Sequence, residues 1–347
     1  MIKRKLFAAV TAATLGMTAA SQTLAADVTL KLHHLLPAMS FTHKNILEPW
    51  AEAVEKGSDG RIEVKIYPAM SLGGKPPQLI DQAIDGFADV VWTLPGYNAG
   101  RFPAISAFEL PFMVTNAEDT SQALQTYYEQ NPEVQAEFDD LHPLFFWVHD
   151  PGVVFTKNEA TLTVDSFASK KIRNPSRPIG SALSLLGASP VGMPVPEIPQ
   201  ALAKGVIDGA VVPYEIVPAL RLHELVDHAT EIKDDRGHGL YTAVFILGMN
   251  KAKYESLDAD LKAVIDEQSG IAWAKMAGNA AVRAEVGGRA LIDEKAQRHQ
   301  MSAEEVAKVR EMTASVTTDW VQEMNDLGLD GQKLLDSANE QLANFSK

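Results

Sequence analysis

Residues 78–93 (QLIDQAIDGFADVVWT) and 197–212 (EIPQALAKGVIDGAVV) are two versions of one pattern. Aligned at a constant offset, they set Leu79 over Ile198, Ala83 over Leu202, Gly86 over Gly205 and Asp89 over Asp208. Each copy has proline near its start, apolar residues at helical spacing, glycine where a helix stops, an Asp, and then a short apolar run of strand character. A helix that ends in a buried strand packs back onto a sheet. Two copies therefore predict two similar α/β lobes whose strand ends face a shared crevice, where ligands bind in such sheets.

Upstream of the second copy, Lys171-Ile172-Arg173 ends an apolar-flanked strand with a guanidinium. That group suits a planar carboxylate, which it grips through two parallel hydrogen bonds. His34, near the end of the first predicted strand, is placed as a hydrogen-bond donor facing the crevice. Trp92, Trp147 and Tyr214 fall at the other predicted strand ends, where large rings would line the same gap.

The chain of 347 residues is long enough for two domains. It has no cysteine, which excludes disulfides, thiolate metal sites and cysteine catalysis. Residues 1–26 begin with Lys3, Arg4 and Lys5, continue with an apolar run from Leu6 to about Ala20, and end in small residues. This is the pattern of a signal peptide cleaved after Ala25 or Ala26. Its removal takes away three positive charges and no negative ones, moving the formal charge from −14 to −17. Such acidity argues against nucleic acid and anionic membrane as partners. It leaves room for a small anion, because one buried arginine sets the local field. No later run approaches the roughly 20 apolar residues of a spanning helix, so the mature protein is expected in the periplasm and not embedded in membrane.

Along the chain, strands are expected at 27–35, 61–67, 88–93, 144–148, 153–157 and 228–232, with an apolar run at 241–249 returning to the first lobe. Helices are expected at 43–56, 76–85, 117–139 with an interruption at Pro132, 216–225, 258–300, and 302–325 with a capping box at Ser302-Ala303-Glu304-Glu305. The aromatic stretch 95–113 reads as irregular chain wrapping a core edge. The lobes divide as 27–150 plus about 239–278, and 151–238 plus about 279–325, followed by a helical tail at 326–347.

Motifs of catalysis are missing. There is no G-x-S-x-G, H-E-x-x-H, phosphate loop or G-x-G-x-x-G. His33, His34 and His43 lack partners at metal-ligand spacing. Gly73-Gly74 and Gly287-Gly288 read as turn and helix packing. No enzyme activity, cofactor or metal is expected.

Four segments occur in order, SDGRIEVKIYPAMSLGG, FELPFM, KKIR and LGASPVGMPVPEIPQALAKGVIDGAV. In these the chain resembles the periplasmic solute-binding proteins of TRAP transporters, the DctP-type family. The resemblance implies a two-lobe periplasmic binding protein fold (type II-like), each lobe a mixed sheet flanked by helices, hinge-linked, with long C-terminal helices spanning the lobes. It implies that Arg173 binds a ligand carboxylate and that the partners are the membrane permease subunits. Where acid-sugar binders of the family carry a second arginine and an asparagine, alignment puts Val153 and Val212. Val195 stands where related proteins often carry a phenylalanine, and Tyr214-Glu215 resembles a pair with which some members hold a cation beside the ligand, which makes Glu215 a weak candidate for a cation.

One arginine, valine walls and aromatic plates suit a monocarboxylate with an apolar or aromatic ring, because a sugar acid would leave buried hydroxyls unpaired. The expected ligand is a benzoate-like or hydroxybenzoate-like acid captured by hinge closure. An aliphatic keto or hydroxy acid or a sugar acid is the alternative ligand. Service to an ATP-driven importer is the alternative role.

Overall fold

The computed structural model describes residues 26–346; the predicted signal peptide, except its last residue, lies outside them. Alternating and apolar runs form β1 (Val28–His34), β2 (Ile62–Tyr67), β3 (Val90–Thr93) and β4 (Leu141–Val148). Between them lie α1 (Glu48–Gly57), α2 (Leu79–Ile84), α3 (Ala117–Gln130) and α4 (Pro132–Ala136). The chain continues through β5 (Val153–Thr156), β6 (Lys171–Asn174), α5 (Arg177–Leu185), β7 (Ser189–Gly192), α6 (Ile198–Ala203), β8 (Gly209–Val212), α7 (Val217–Leu220) and β9 (His228–Glu231). It then returns as β10 (Val244–Asn250) and closes with α8 (Lys251–Glu255), α9 (Ala259–Glu267), α10 (Gly270–Lys295), β11 (Gln297–Gln300), α11 (Ala303–Asp326) and α12 (Gly331–Phe345).

Two mixed sheets result, ordered β2-β1-β3-β10-β4 and β11-β9-β5-β8-β6-β7. Each contains one strand that arrives from the other lobe. β10 lies antiparallel between β3 and β4, and β5 lies antiparallel between β8 and β9. The crossing segments are tied side by side: the Gly152 amide donates to the Tyr241 carbonyl at 2.9 Å, and Thr242 Oγ1 donates to the His149 carbonyl at 2.7 Å. Gly152 has no room for a side chain, since a Cβ there would stand 2.0 Å from the Tyr241 ring.

The sequence repeat is a structural repeat, visible in its hydrogen bonds. Asp89 accepts from the Lys31 amide at 2.8 Å and returns its own amide to the Lys31 carbonyl; Asp208 and Lys171 form the same reciprocal pair. Gly86 (φ 72°) and Gly205 (φ 67°) both take the left-handed conformation that ends a helix at low cost. The pairs Lys31–Asp89 and Lys171–Asp208 set His33 opposite Val91 and Arg173 opposite Ala210. Arg173 is thus the second-lobe counterpart of His33. The His33 ring is consumed locally, with Nδ1 2.7 Å from Gln82 Oε1, so only the second copy presents an anion anchor.

The C-terminal region departs from a single helix over 258–300. Gly270 (φ 70°) breaks it into α9 and α10, and residues 297–300 leave the helix to pair in parallel with β9. Residues 216–225 are likewise short turns, because Pro218 follows a helix start and Arg221 adopts φ 52°. α10 packs on α3 and β4 of the first lobe and on the 214–216 turn and β11 of the second, so it spans both. Among the described residues no helix is long and apolar enough to cross a membrane.

Candidate functional site

A cavity of about 410 Å³ opens where the two sheets' strand ends meet. Arg173, Val195, Val212 and Glu215 reach it from the second lobe. Leu35, Leu36, Trp92, Tyr97 and Phe245 reach it from the first, and His149 and Tyr241 from the crossing segments. Arg173 is 2 % exposed. Its Nε donates to the Met193 carbonyl at 2.9 Å and its Nη1 to the Val211 carbonyl at 3.1 Å, while Nη2 approaches Tyr97 Oη at 3.5 Å. Tyr97 Oη also accepts from the Val195 amide at 2.9 Å, which leaves its own O–H free to donate. These bonds aim the guanidinium without neutralising it. Among the described residues Arg173 forms no ion pair with a carboxylate, and burial pulls its pKa down.

Among the described residues, two polar atoms in the wall are buried without a partner, Trp92 Nε1 and the Tyr241 hydroxyl. His149 is not available to a ligand. Its Nε2 accepts from the Ala243 amide at 3.0 Å, which puts the proton on Nδ1, donating to the Asp150 carbonyl at 2.6 Å. Burial holds it neutral, with the pKa lowered to about 4.

Of the residues singled out in the sequence, the structure brings Arg173, Trp92, Val195 and Val212 together in the wall. The other four stand outside it. His34 is fully buried, accepting the Leu36 amide on Nδ1 and donating from Nε2 to His43 at 2.8 Å; burial lowers its pKa to about 3. Leu35 and Leu36, just beyond it, line the cavity instead. Trp147 lies on edge strand β4, one strand beyond β10, stacked behind Trp92 with centroids 6.2 Å apart. Val153 pairs with Val212 and Glu231 in the middle of the second sheet and is buried in its core. Tyr214 turns away after Pro213, donating to Glu231 Oε1 at 3.1 Å under the Arg289 guanidinium. Its neighbour Glu215 takes the cavity position.

Tyr97, His149 and Tyr241 escaped the sequence reading, which assigned 95–113 to a core edge. The signal for His149 and Tyr241 was topological. They flank the two lobe crossings, and a crossing has to run through the cleft floor.

Glu215 and Glu285 are buried, and half-buried Asp150 completes a group of three carboxyls. Burial, with the charge of Asp150, raises Glu215 to about 8, and burial with Asp150 and Glu215 raises Glu285 to about 8. An unfolded glutamate titrates near 4.5. Between these values the folded protein holds protons that the unfolded chain releases, so the contribution is full below pH 4.5 and lost as pH rises toward 8. His149 acts oppositely, its contribution fading from pH 6.5 down toward 4. Thermal stability is therefore expected to fall between pH 6 and pH 9. Scanning calorimetry should show a shallower fall in Glu285→Gln, and an unchanged slope would contradict the assignment.

A larger cleft, about 630 Å³, lies between the 95–110 loop, the start of α5 and α11. Its wall cation, Arg177, is already paired with Glu323 at 2.6 Å, so it offers an anion nothing.

Two sheet-based lobes, paired crossings and an unpaired buried cation in the cleft define a class, the two-lobe solute-binding proteins. The comparisons agree. Residues 32–323 match the model of the family described as bacterial extracellular solute-binding protein, family 7 (DctP). A TRAP solute-binding protein from Rhodoferax ferrireducens, solved with copurified benzoate, is 43 % identical, covering 91 % of this chain and 98 % of its own, with a TM-score of 0.88. A marine-metagenome TRAP protein specific for aromatic acids, solved with 3-hydroxybenzoate, is 43 % identical over 93 % of this chain and 100 % of its own, TM-score 0.89. The C4-dicarboxylate-binding periplasmic protein DctP of Rhodobacter capsulatus is 24 % identical over 77 % of this chain and 78 % of its own. The chain belongs to the DctP family of TRAP solute-binding proteins.

Proposed function

We propose that this protein is the periplasmic solute-binding subunit of a TRAP transporter, that it carries no catalytic activity, and that it captures a one-ring aromatic monocarboxylate. The observation that carries the reading is Arg173, a buried guanidinium without a counter-ion among the described residues, in a cavity whose wall includes Trp92, Phe245, Leu35, Leu36, Val195 and Val212. A buried charge calls for a partner, and this wall favours a ring over a polyol. The solved relatives, with benzoate and 3-hydroxybenzoate, support the same ligand class. Residues 1–26 serve as the export signal.

The lobes comprise 27–150 with about 239–278, and 151–238 with about 279–325, in keeping with the sheet that each strand joins. Arg173 fixes the carboxylate from one lobe, while Trp92 and Tyr97 close on the ring from the other. A ligand that touches both stabilises the closed state by its differential affinity, and the permease recognises that state.

A thermal-shift screen of the mature protein tests this. Benzoate at 100 times its Kd should stabilise by about 2.7 kcal/mol, a rise of several degrees. Gluconate and pyruvate should produce little. A rise with sugar acids and none with aromatic acids would overturn the reading.

A further inference from the structure

The wall contains a second charged-type side chain whose use the carboxylate anchor does not explain. Glu215 is 7 % exposed, lines the cavity, and its carboxyl makes no hydrogen bond or ion pair among the described residues; only its backbone amide is engaged, donating to Glu285 Oε1 at 3.0 Å. The neighbouring carboxyls are committed elsewhere. Asp150 Oδ1 accepts from the Ala117 amide at the start of α3, and Glu285 holds that Glu215 amide on α10.

Glu215 and Arg173 line the same cavity, and among the described residues they form no ion pair. A carboxyl beside a buried guanidinium would be held below its ordinary range, whereas this one is pushed up by burial and Asp150. The Tyr241 hydroxyl, buried without a partner among the described residues, lines the same cavity. The cavity wall thus holds a cation and, unpaired with it, a carboxyl, alongside Trp92, Phe245 and the valines.

We propose that Glu215 recognises a ring hydroxyl, so that the preferred ligand is a 3- or 4-hydroxylated aromatic acid whose carboxylate sits on Arg173. A carboxylic acid carries one O–H donor and one carbonyl acceptor. It matches a phenol, which likewise donates and accepts once. A second carboxylate could not sit against Glu215 and its acidic neighbours, which fixes the ligand's direction. A hydroxyl in the 2-position is excluded from the role, because it sits beside its own carboxylate at the Arg173 end. Plain benzoate would bind but leave the Glu215 carboxyl unpaired in a closed pocket, a costly state for a buried polar group.

This rests on the aromatic-acid reading above, and the test separates the two. Isothermal titration with benzoate and with 2-, 3- and 4-hydroxybenzoate is run on the mature protein, Glu215→Leu and Glu215→Gln. In the natural protein the 3- or 4-hydroxy acid should bind about 5- to 30-fold tighter than benzoate, with 2-hydroxybenzoate resembling benzoate. Glu215→Leu should bring the hydroxylated acids within about twofold of benzoate. Glu215→Gln, neutral and able both to donate and to accept, should retain the preference. A preference that survives in Glu215→Leu, an equal loss for all four acids in both variants, or a preference that appears only with added Na⁺ or Ca²⁺ would each overturn the role of Glu215. Failure of the natural protein to bind any of the four acids would instead overturn the aromatic-acid reading, and this proposal with it.

Discussion

Replacing Arg173 with Gln is expected to weaken aromatic-acid binding at least 100-fold. Charge-assisted hydrogen bonds contribute about 1.5–3 kcal/mol each, and the guanidinium fork can make two to a carboxylate. Even the low end of that sum, about 3 kcal/mol, is two decades in affinity. Arg173→Lys should fall between, since it keeps the charge and loses the planar fork. The unliganded Gln variant should melt within a few degrees of the natural protein. It gives up the bonds to the Met193 and Val211 carbonyls, but it also removes a buried charge that has no counter-ion. Titration calorimetry alongside a melting curve separates these effects. Near-natural affinity in Arg173→Gln would move the anchor elsewhere.

The second large effect is expected behind the cavity wall, at the second of two adjacent glycines on α10, Gly288. A Cβ on Gly288 would stand 1.9 Å from the Tyr214 carbonyl oxygen and 2.5 Å from its carbon, both backbone atoms. α10 lies close to the first lobe as well, where a Cβ on Gly278, earlier in the same helix, would stand 2.4 Å from the Ala117 carbonyl oxygen of α3. Overpacking of this kind costs about 1–3 kcal/mol or more, against which the helix gains about 1 kcal/mol from losing a glycine. Gly288→Ala should therefore destabilise by about 2 kcal/mol net. Because Tyr214 immediately precedes Glu215, the same change should also disturb ligand affinity. Gly287 has nothing within 4 Å, so Gly287→Ala should stabilise by up to about 1 kcal/mol and leave binding unchanged. Chemical denaturation of the two variants gives the contrast directly. Equal effects would refute the close helix-to-turn packing.

Some of this was visible in the chain before any fold was known. The two helix-Gly-Asp-strand units were legible because each is local: a left-handed glycine, an aspartate clamping the neighbouring strand's amide, and a few apolar residues suffice. Arg173 was legible as a charged residue ending an apolar run. β11 was not, since QRHQ is polar and exposed and becomes a strand only by pairing with β9, some seventy residues away. β7 carries Pro190 and holds its place as an edge strand beside β6. The break at Gly270 was hidden in a helical stretch rich in alanine.

The site divided along the same line. Which residue types are present, an arginine, large rings and valines with no catalytic motif, follows from the sequence, and so does the two-lobe repeat, because both depend on neighbours within one helix or strand. Which of those side chains face the ligand was decided by tertiary structure. Trp92 and Trp147 end similar strands, but β10 inserts between β3 and β4 and leaves one in front of the other. Tyr214 and Glu215 are adjacent, but the turn after Pro213 sends the ring toward Glu231 and the carboxyl into the cavity. A strand or turn residue has two directions to point, and only the packing of the opposite lobe and of α10 selects between them.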